Sequence, residues 1–203
     1  MDERKTTTIV VASLFVILLI GSIGLFYYQK QHYSSVFFEY SGFAVHKVQE
    51  KGLSEFQIQI FINENRQPFS VSSRYSPREL EDIPTYEELR NDLVKEKLYI
   101  TMEPTLSSKA TIAFSEIDKY TENPLLFNLP TFPALIRKVE ENDLPVILCD
   151  QATETVGVLM FRIGSTNAIY PEGQCVIAEA VSEDDLIRVA DRVSLTLLNI
   201  MKP

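Results

Sequence analysis

A chain of 203 residues with a formal net charge of −9 has the length of one domain and the wrong sign for gripping a phosphate backbone. With only two histidines and two cysteines it lacks the ligand clusters of a transition-metal centre. Nucleic acid is not expected as a partner, and neither a metal nor a cofactor is expected.

From Thr6 to Gln29 no Lys, Arg, Asp or Glu occurs, and Ile9 to Tyr28 supplies twenty mostly apolar residues. At about 1.5 Å per helical residue this run covers roughly 30 Å, the hydrocarbon thickness of a bilayer. Tyr27 and Tyr28 stand where an aromatic belt meets the headgroups. A cleaved signal peptide shares the basic start at Arg4-Lys5, the apolar core Ile9–Ile20 and the small residues Gly21, Ser22 and Gly24. Here the apolar run continues through Leu25-Phe26-Tyr27-Tyr28, which favours a retained signal-anchor. The excess of basic residues on the N-terminal side places residues 1–8 as a cytoplasmic tail, 9–28 as a transmembrane helix, and the rest outside. The lipid bilayer is thus an expected partner through 9–28.

Asp2, Glu3, Arg4, Lys5 and Lys30 hold all the charges of the first 32 residues, so the acidic excess belongs to the exported remainder. Outside the cell no reducing pool keeps Cys149 and Cys175 apart, and both sit in strand-like runs, P-V-I-L-C-D and Q-C-V-I-A-E-A. A disulfide between them is expected, closing a loop of about 27 residues. The alternative is a pair of buried thiols acting as small hydrophobes.

Residues 29–75 read as a β-rich juxtamembrane part. V-F-F-E-Y-S-G-F-A-V-H-K-V is rich in aromatic and β-branched residues, with Gly42 marking a bulge or bend, and F-Q-I-Q-I-F-I alternates with period two. A three-strand meander follows, with Asn63 to Pro68 as a hairpin loop. Residues 76–203 read as the α/β part of the same domain. Ser76-Pro77-Arg78-Glu79 has capping-box spacing and opens a short helix that Pro84 ends. Thr85 opens a second, with Tyr86, Leu89 and Leu93 on one face. L-Y-I-T-M is a strand, and Ala110, Ala113, Phe114, Ile117 and Tyr120 keep helical spacing after Ser108.

The proline-rich E-N-P-L-L-F-N-L-P-T-F-P predicts a loop, Ala134 to Val139 a short helix, and P-V-I-L-C a buried strand. Strand, helical crossover and strand predict a parallel pair. V-G-V-L-M-F-R-I-G, A-I-Y-P and Q-C-V-I-A-E-A add strands, with Gly164 to Asn167 as a hairpin signal. Ser182 caps a final helix whose first turn is acidic and whose inward stripe is Leu186, Ala190, Val193 and Leu197. The expected fold class is α/β, mixed with α+β, behind one N-terminal transmembrane helix.

The anchor I-V-V-A-S-L-F-V-I-L-L-I and the acidic α/β remainder, with S-P-R-E-L-E-D-I-P, P-V-I-L-C-D-Q-A-T-E and Q-C-V-I-A-E-A, resemble uncharacterised, short, single-pass membrane-anchored archaeal proteins. That resemblance implies an exported domain on one anchor and brings no activity, cofactor or catalytic residue.

Candidate chemistry is sparse. Cys149-Asp150 falls at a strand end, where α/β folds place their sites, and His46 is the one realistic base for a cysteine nucleophile. Carboxylate pairs at Glu87-Glu88, Glu140-Glu141 and Asp184-Asp185 suit helix starts or solvated faces, and glycoside hydrolysis would need two acids across a cleft. No glycine-rich phosphate loop, G-x-S-x-G or H-E-x-x-H occurs. No catalytic residue is assigned. The expectation is an exported binding or scaffolding protein of the cell envelope, acting with an envelope protein partner. The alternatives are an envelope hydrolase using paired carboxylates and a thiol-disulfide protein using Cys149 and Cys175.

Overall fold

The computed structural model describes residues 16–24, 36–50, 52–62, 66–140 and 142–203. Of the expected span at 9–28 only 16–24 falls among them, as helix α1. The remainder of that span and the tail at 1–8 lie outside the described residues. The side chains of Val16, Ile17, Leu18, Leu19, Ile20 and Ile23 on α1 are exposed. Among the described residues no helix is long and apolar enough to cross a membrane.

The β-rich part is a meander of four strands, not three: β1 (Val36–Tyr40), β2 (Phe43–Glu50), β3 (Leu53–Ile62) and β4 (Gln67–Ser73), antiparallel in that order. The extra strand arises because Ser41 and Gly42, with φ of 49° and 85°, form a tight two-residue turn instead of a bulge. Positive φ at both central residues gives the turn whose twist matches the flanking strands. The period-two pattern of β3 holds: Ile58 and Ile60 are buried while Gln59 and Phe61 face outward.

The second sheet has the order β6-β5-β7-β9-β8. Its strands are β5 (Lys97–Met102), β6 (Thr131–Leu135), β7 (Val156–Ile163), β8 (Ala168–Glu172) and β9 (Cys175–Ala180). All run parallel to their neighbours except β8, which is antiparallel to β9. Helices α2 (Leu89–Leu93), α3 (Ser108–Thr121) and α4 (Glu183–Leu197) complete the set. The mixed α/β class is therefore present, and α3 makes a crossover between parallel strands, but its second strand is β6 and not the expected run at 145–149.

Four local expectations change. Residues 131–135 form β6, not loop and helix, because they pair with β5 from Leu98↔Thr131 to Met102↔Leu135; Pro133 is accommodated because β6 is an edge strand. The run 145–149 is no strand: Val146 makes one bridge to Leu135, and Cys149–Gln151 is a 3-10 turn. The helix expected from Thr85 begins at Leu89: Ile169 N–H donates to Pro84 O at 2.9 Å, which ties the chain to β8 there, and Glu87-Glu88 form a turn ahead of the helix. Gly164 to Asn167 does join β7 to β8, but β8 pairs with β9, so the two strands flanking that turn are not hairpin partners.

One hydrophobic cluster runs through both sheets. It joins Val45, Ile58, Ile60 and Val71 of the meander to the helices and to Leu98, Ile100, Leu159, Phe161, Val176 and Ala178 of the mixed sheet. Helix α4 lies at its centre. Beyond the expected stripe, Val189, Asp191, Arg192, Ser194, Leu195 and Thr196 are buried too, so the helix is covered on every side. Polar ties fix the meander to this layer. Tyr120 of α3 bonds both the N–H and the C=O of Ser72, and Asp191 of α4 accepts from Ser73 Oγ at 2.9 Å.

Candidate functional site

In an open α/β sheet, ligands enter the crevice beyond the carboxyl ends of the strands, where successive connections leave in opposite directions. Strands β5 and β7 are such neighbours here. From β5 the chain leaves through α3 towards β6, and from β7 it leaves the other way, towards β8 and β9. A cleft of about 340 Å³ lies between their ends. Glu103 and Leu106 come from the segment after β5, Ile136 from the end of β6, and Met160, Arg162 and Ile163 from β7.

The alternation of β7 determines which side chains reach it. Leu159 and Phe161 join the core with the helices, whereas Val158 and Met160 turn to the other face, against the cysteines. Arg162 follows Met160 by two and shares that face. Its Nη1 and Nη2 both lie 3.2 Å from Glu172 Oε2, and Nη1 donates to Tyr170 Oη at 3.3 Å. Tyr170 in turn donates to Glu179 Oε2 at 2.7 Å. Glu179 also accepts from the Ser165 and Thr166 N–H groups, which ties the turn after β7 to β9. The Tyr170 hydrogen bond, then that from Ser165 N–H, hold the Glu179 carboxyl below its usual range. A Cβ on Gly164 would lie 2.3 Å from Glu179 Cδ, so a larger residue there would have to push the Glu179 side chain off the turn. On the opposite wall Arg137 grips Glu103 through Nε at 2.8 Å and Nη2 at 2.7 Å. The cleft is thus an apolar trough rimmed by two charges, each with a partner.

Cys149 and Cys175 form a disulfide with Cα atoms 5.0 Å apart. It fastens the 3-10 turn to β9 on the face away from the helices, in a small cluster with Ala152, Val158 and Ile177. Met160 packs against this cluster and also lines the cleft. His46 stands on β2 in the other sheet, so Cys149 and His46 are not brought together as a nucleophile and base.

None of the carboxylate pairs lines the cleft. Glu87 and Glu88 are exposed ahead of α2, and Glu140 is exposed with Glu141 outside the described residues. Asp184 pairs with Lys109 at 2.7 Å, and Asp185 with Arg188 at 3.0 Å. Among the described residues no group of three or more His, Cys, Asp or Glu is placed to hold a metal ion.

The expectation that sites sit at strand ends applies to β5 and β7, not to the run ending in Cys149. Glu103 was legible only as the residue after L-Y-I-T-M, and Met160 and Arg162 only as members of V-G-V-L-M-F-R-I, two runs whose pairing the sequence does not display. No protein-family model, curated protein or solved structure matches the chain.

Proposed function

We propose that the chain is a membrane-anchored, exported binding protein of the cell envelope, and that it binds in the cleft between β5 and β7. The observation that carries the binding half is the position of that cleft, at the point where the connections of a parallel sheet diverge. Its apolar walls and few polar groups are the usual make-up of a ligand site.

Two observations support the location. A disulfide persists in oxidising compartments and is rare where thiols are kept reduced. The uncharged run at 6–29 has the length of a membrane span, and Ile17, Leu18 and Ile20 in its described part are more than half exposed. In water that exposure forfeits a large part of the about 1.5–3 kcal/mol that full burial of such a side chain gives, which lipid contact recovers.

The test is alkaline carbonate extraction of the full-length chain, paired with impermeant maleimide labelling of intact cells with and without reductant. The chain is expected in the pellet, with label entering only after reduction. Uncut chain in the soluble fraction, or labelling that occurs only after the cells are broken, would remove the anchor or the exported location.

A further inference from the structure

Strands β5 and β7 pair from Lys97↔Val156 to Thr101↔Met160, and there the ladder stops. Strand β7 runs on to Ile163, held on its other edge by β9 as far as Ile163↔Ala180. Past Met102 the chain turns away through Pro104 towards α3. The last residues of β7, Arg162 and Ile163, therefore overhang β5, whose Met102 is level with Phe161, and the edge is open from the Phe161 C=O onward. Main-chain groups of successive strand residues point to opposite edges. Gly164 N–H donates to Ala180 O at 2.9 Å, so Gly164 and Arg162 face β9. The Phe161 C=O and the Ile163 N–H and C=O face the other way, into the cleft, where the ladder offers them no partner.

This open edge borders a trough with Leu106 and Ile136 opposite and Met160 beside it. A purely apolar ligand would bury those main-chain groups unpaired, which disfavours it. An extended peptide supplies the matching donors and acceptors and sends alternate side chains into the apolar walls. Because Glu103 and Arg162 already have charged partners, the centre of such a peptide is uncharged. The chain's net charge of −9 favours basic flanks.

We infer that the cleft takes an extended segment of a partner protein, apolar at its centre and basic at its ends, added as a strand to the overhang of β7. This rests on the reading of the cleft as the binding place and goes further in naming the partner's chemistry.

The probe is a random heptapeptide library selected against the full-length chain in nanodiscs. The consensus peptide is then made in plain and backbone N-methylated forms. The plain peptide should slow amide hydrogen exchange at Ile163, and N-methylation should weaken binding about tenfold or more, as expected for a lost main-chain bond. Ile163→Pro removes an N–H that serves no ladder bond, so its circular dichroism and melting midpoint should match the parent while peptide affinity falls about tenfold.

If plain and N-methylated peptides bind equally and compete with a probe tethered at Leu106, strand addition is overturned while the cleft remains a binding place. Failure of the selection to yield any peptide sensitive to Ile163→Pro overturns the inference. A dimer that Ile163→Pro abolishes, with no peptide effect, would assign the edge to a second copy of the chain and equally overturn it.

Discussion

Asp191 is a carboxyl group placed almost entirely out of water, 2% exposed on the central helix α4. Its Oδ2 accepts from Ser73 Oγ and from the Arg74 and Tyr75 N–H groups, each at 2.9 Å, so it holds the end of β4 against the helices. Burial, then the nearby Glu116 carboxylate, push its pKa up to about 7. Glu116 is itself engaged by Arg74 at 2.7 Å and by Lys119. An unfolded Asp releases its proton near pH 4, about three units lower, so between those values the folded chain holds a proton that the unfolded chain has lost. Stability is therefore highest below that window and falls as pH rises through it. Asp118, raised to about 6 by burial and then by Glu122, acts in the same sense. The melting midpoint of the full chain in detergent should drop between about pH 4 and about pH 7 and level off above that. Asp191→Asn keeps an acceptor for the three donors, so it should flatten most of that slope and leave the part due to Asp118. A midpoint that climbs over the same interval would show that Asp191 is ionised in the folded state.

The connection from β6 to β7 is long and has little regular structure of its own, isolated bridges at Val139↔Asn142 and Leu135↔Val146 and one 3-10 turn. Main-chain bonds join Pro145 and Ile147 to Leu135, and the bond from Cys149 to Cys175, across a sequence separation of 26, fastens its end covalently. Closing a loop of that size stabilises the fold by about 3.5 kcal/mol in the chain-entropy account. Cys149→Ser should lower unfolding free energy by about that amount in urea titrations. Reductant should destabilise the parent equally and leave the variant unchanged, and a variant as stable as the parent would mean that packing alone holds the connection. The cysteine pairing was legible because few partners existed. Elements with a strong pattern of their own were legible too: β3 by alternation, α3 by helical spacing, α4 by its Ser182 cap. Strand β6 was not, because Thr131–Leu135 holds a proline and no alternation, and only pairing with β5 makes it a strand. The site is harder still. Thr101 and Met160 are far apart in the chain, and the overhang exists only because their pairing ends where it does.

On the scale of the molecule, the boundary drawn at 75/76 separates two patterns of sequence but not two cores. Val45, Ile58 and Val71 of the meander are 0% exposed, and what covers them is the helix layer that also covers Leu159 and Val176. Removing the meander would expose one flank of α4, including Asp191, whose three donors all come from the end of β4 and the two residues after it. Neither part buries its apolar face alone, so the two should unfold in one transition. The chain contains no tryptophan, which allows a clean reporter in each sheet. Phe61 on β3 and Phe132 on β6 suit this, being 58% and 43% exposed and thus tolerant of a larger ring. Phe61→Trp and Phe132→Trp, each followed by fluorescence in urea, should give the same midpoint and the same slope, since both scale with one shared loss of buried surface. Separated midpoints would mean that the meander opens while the mixed sheet stays folded. In that case the strand set nearest the expected anchor would act as a hinged stem for the cleft, rather than as part of the body that holds it rigid.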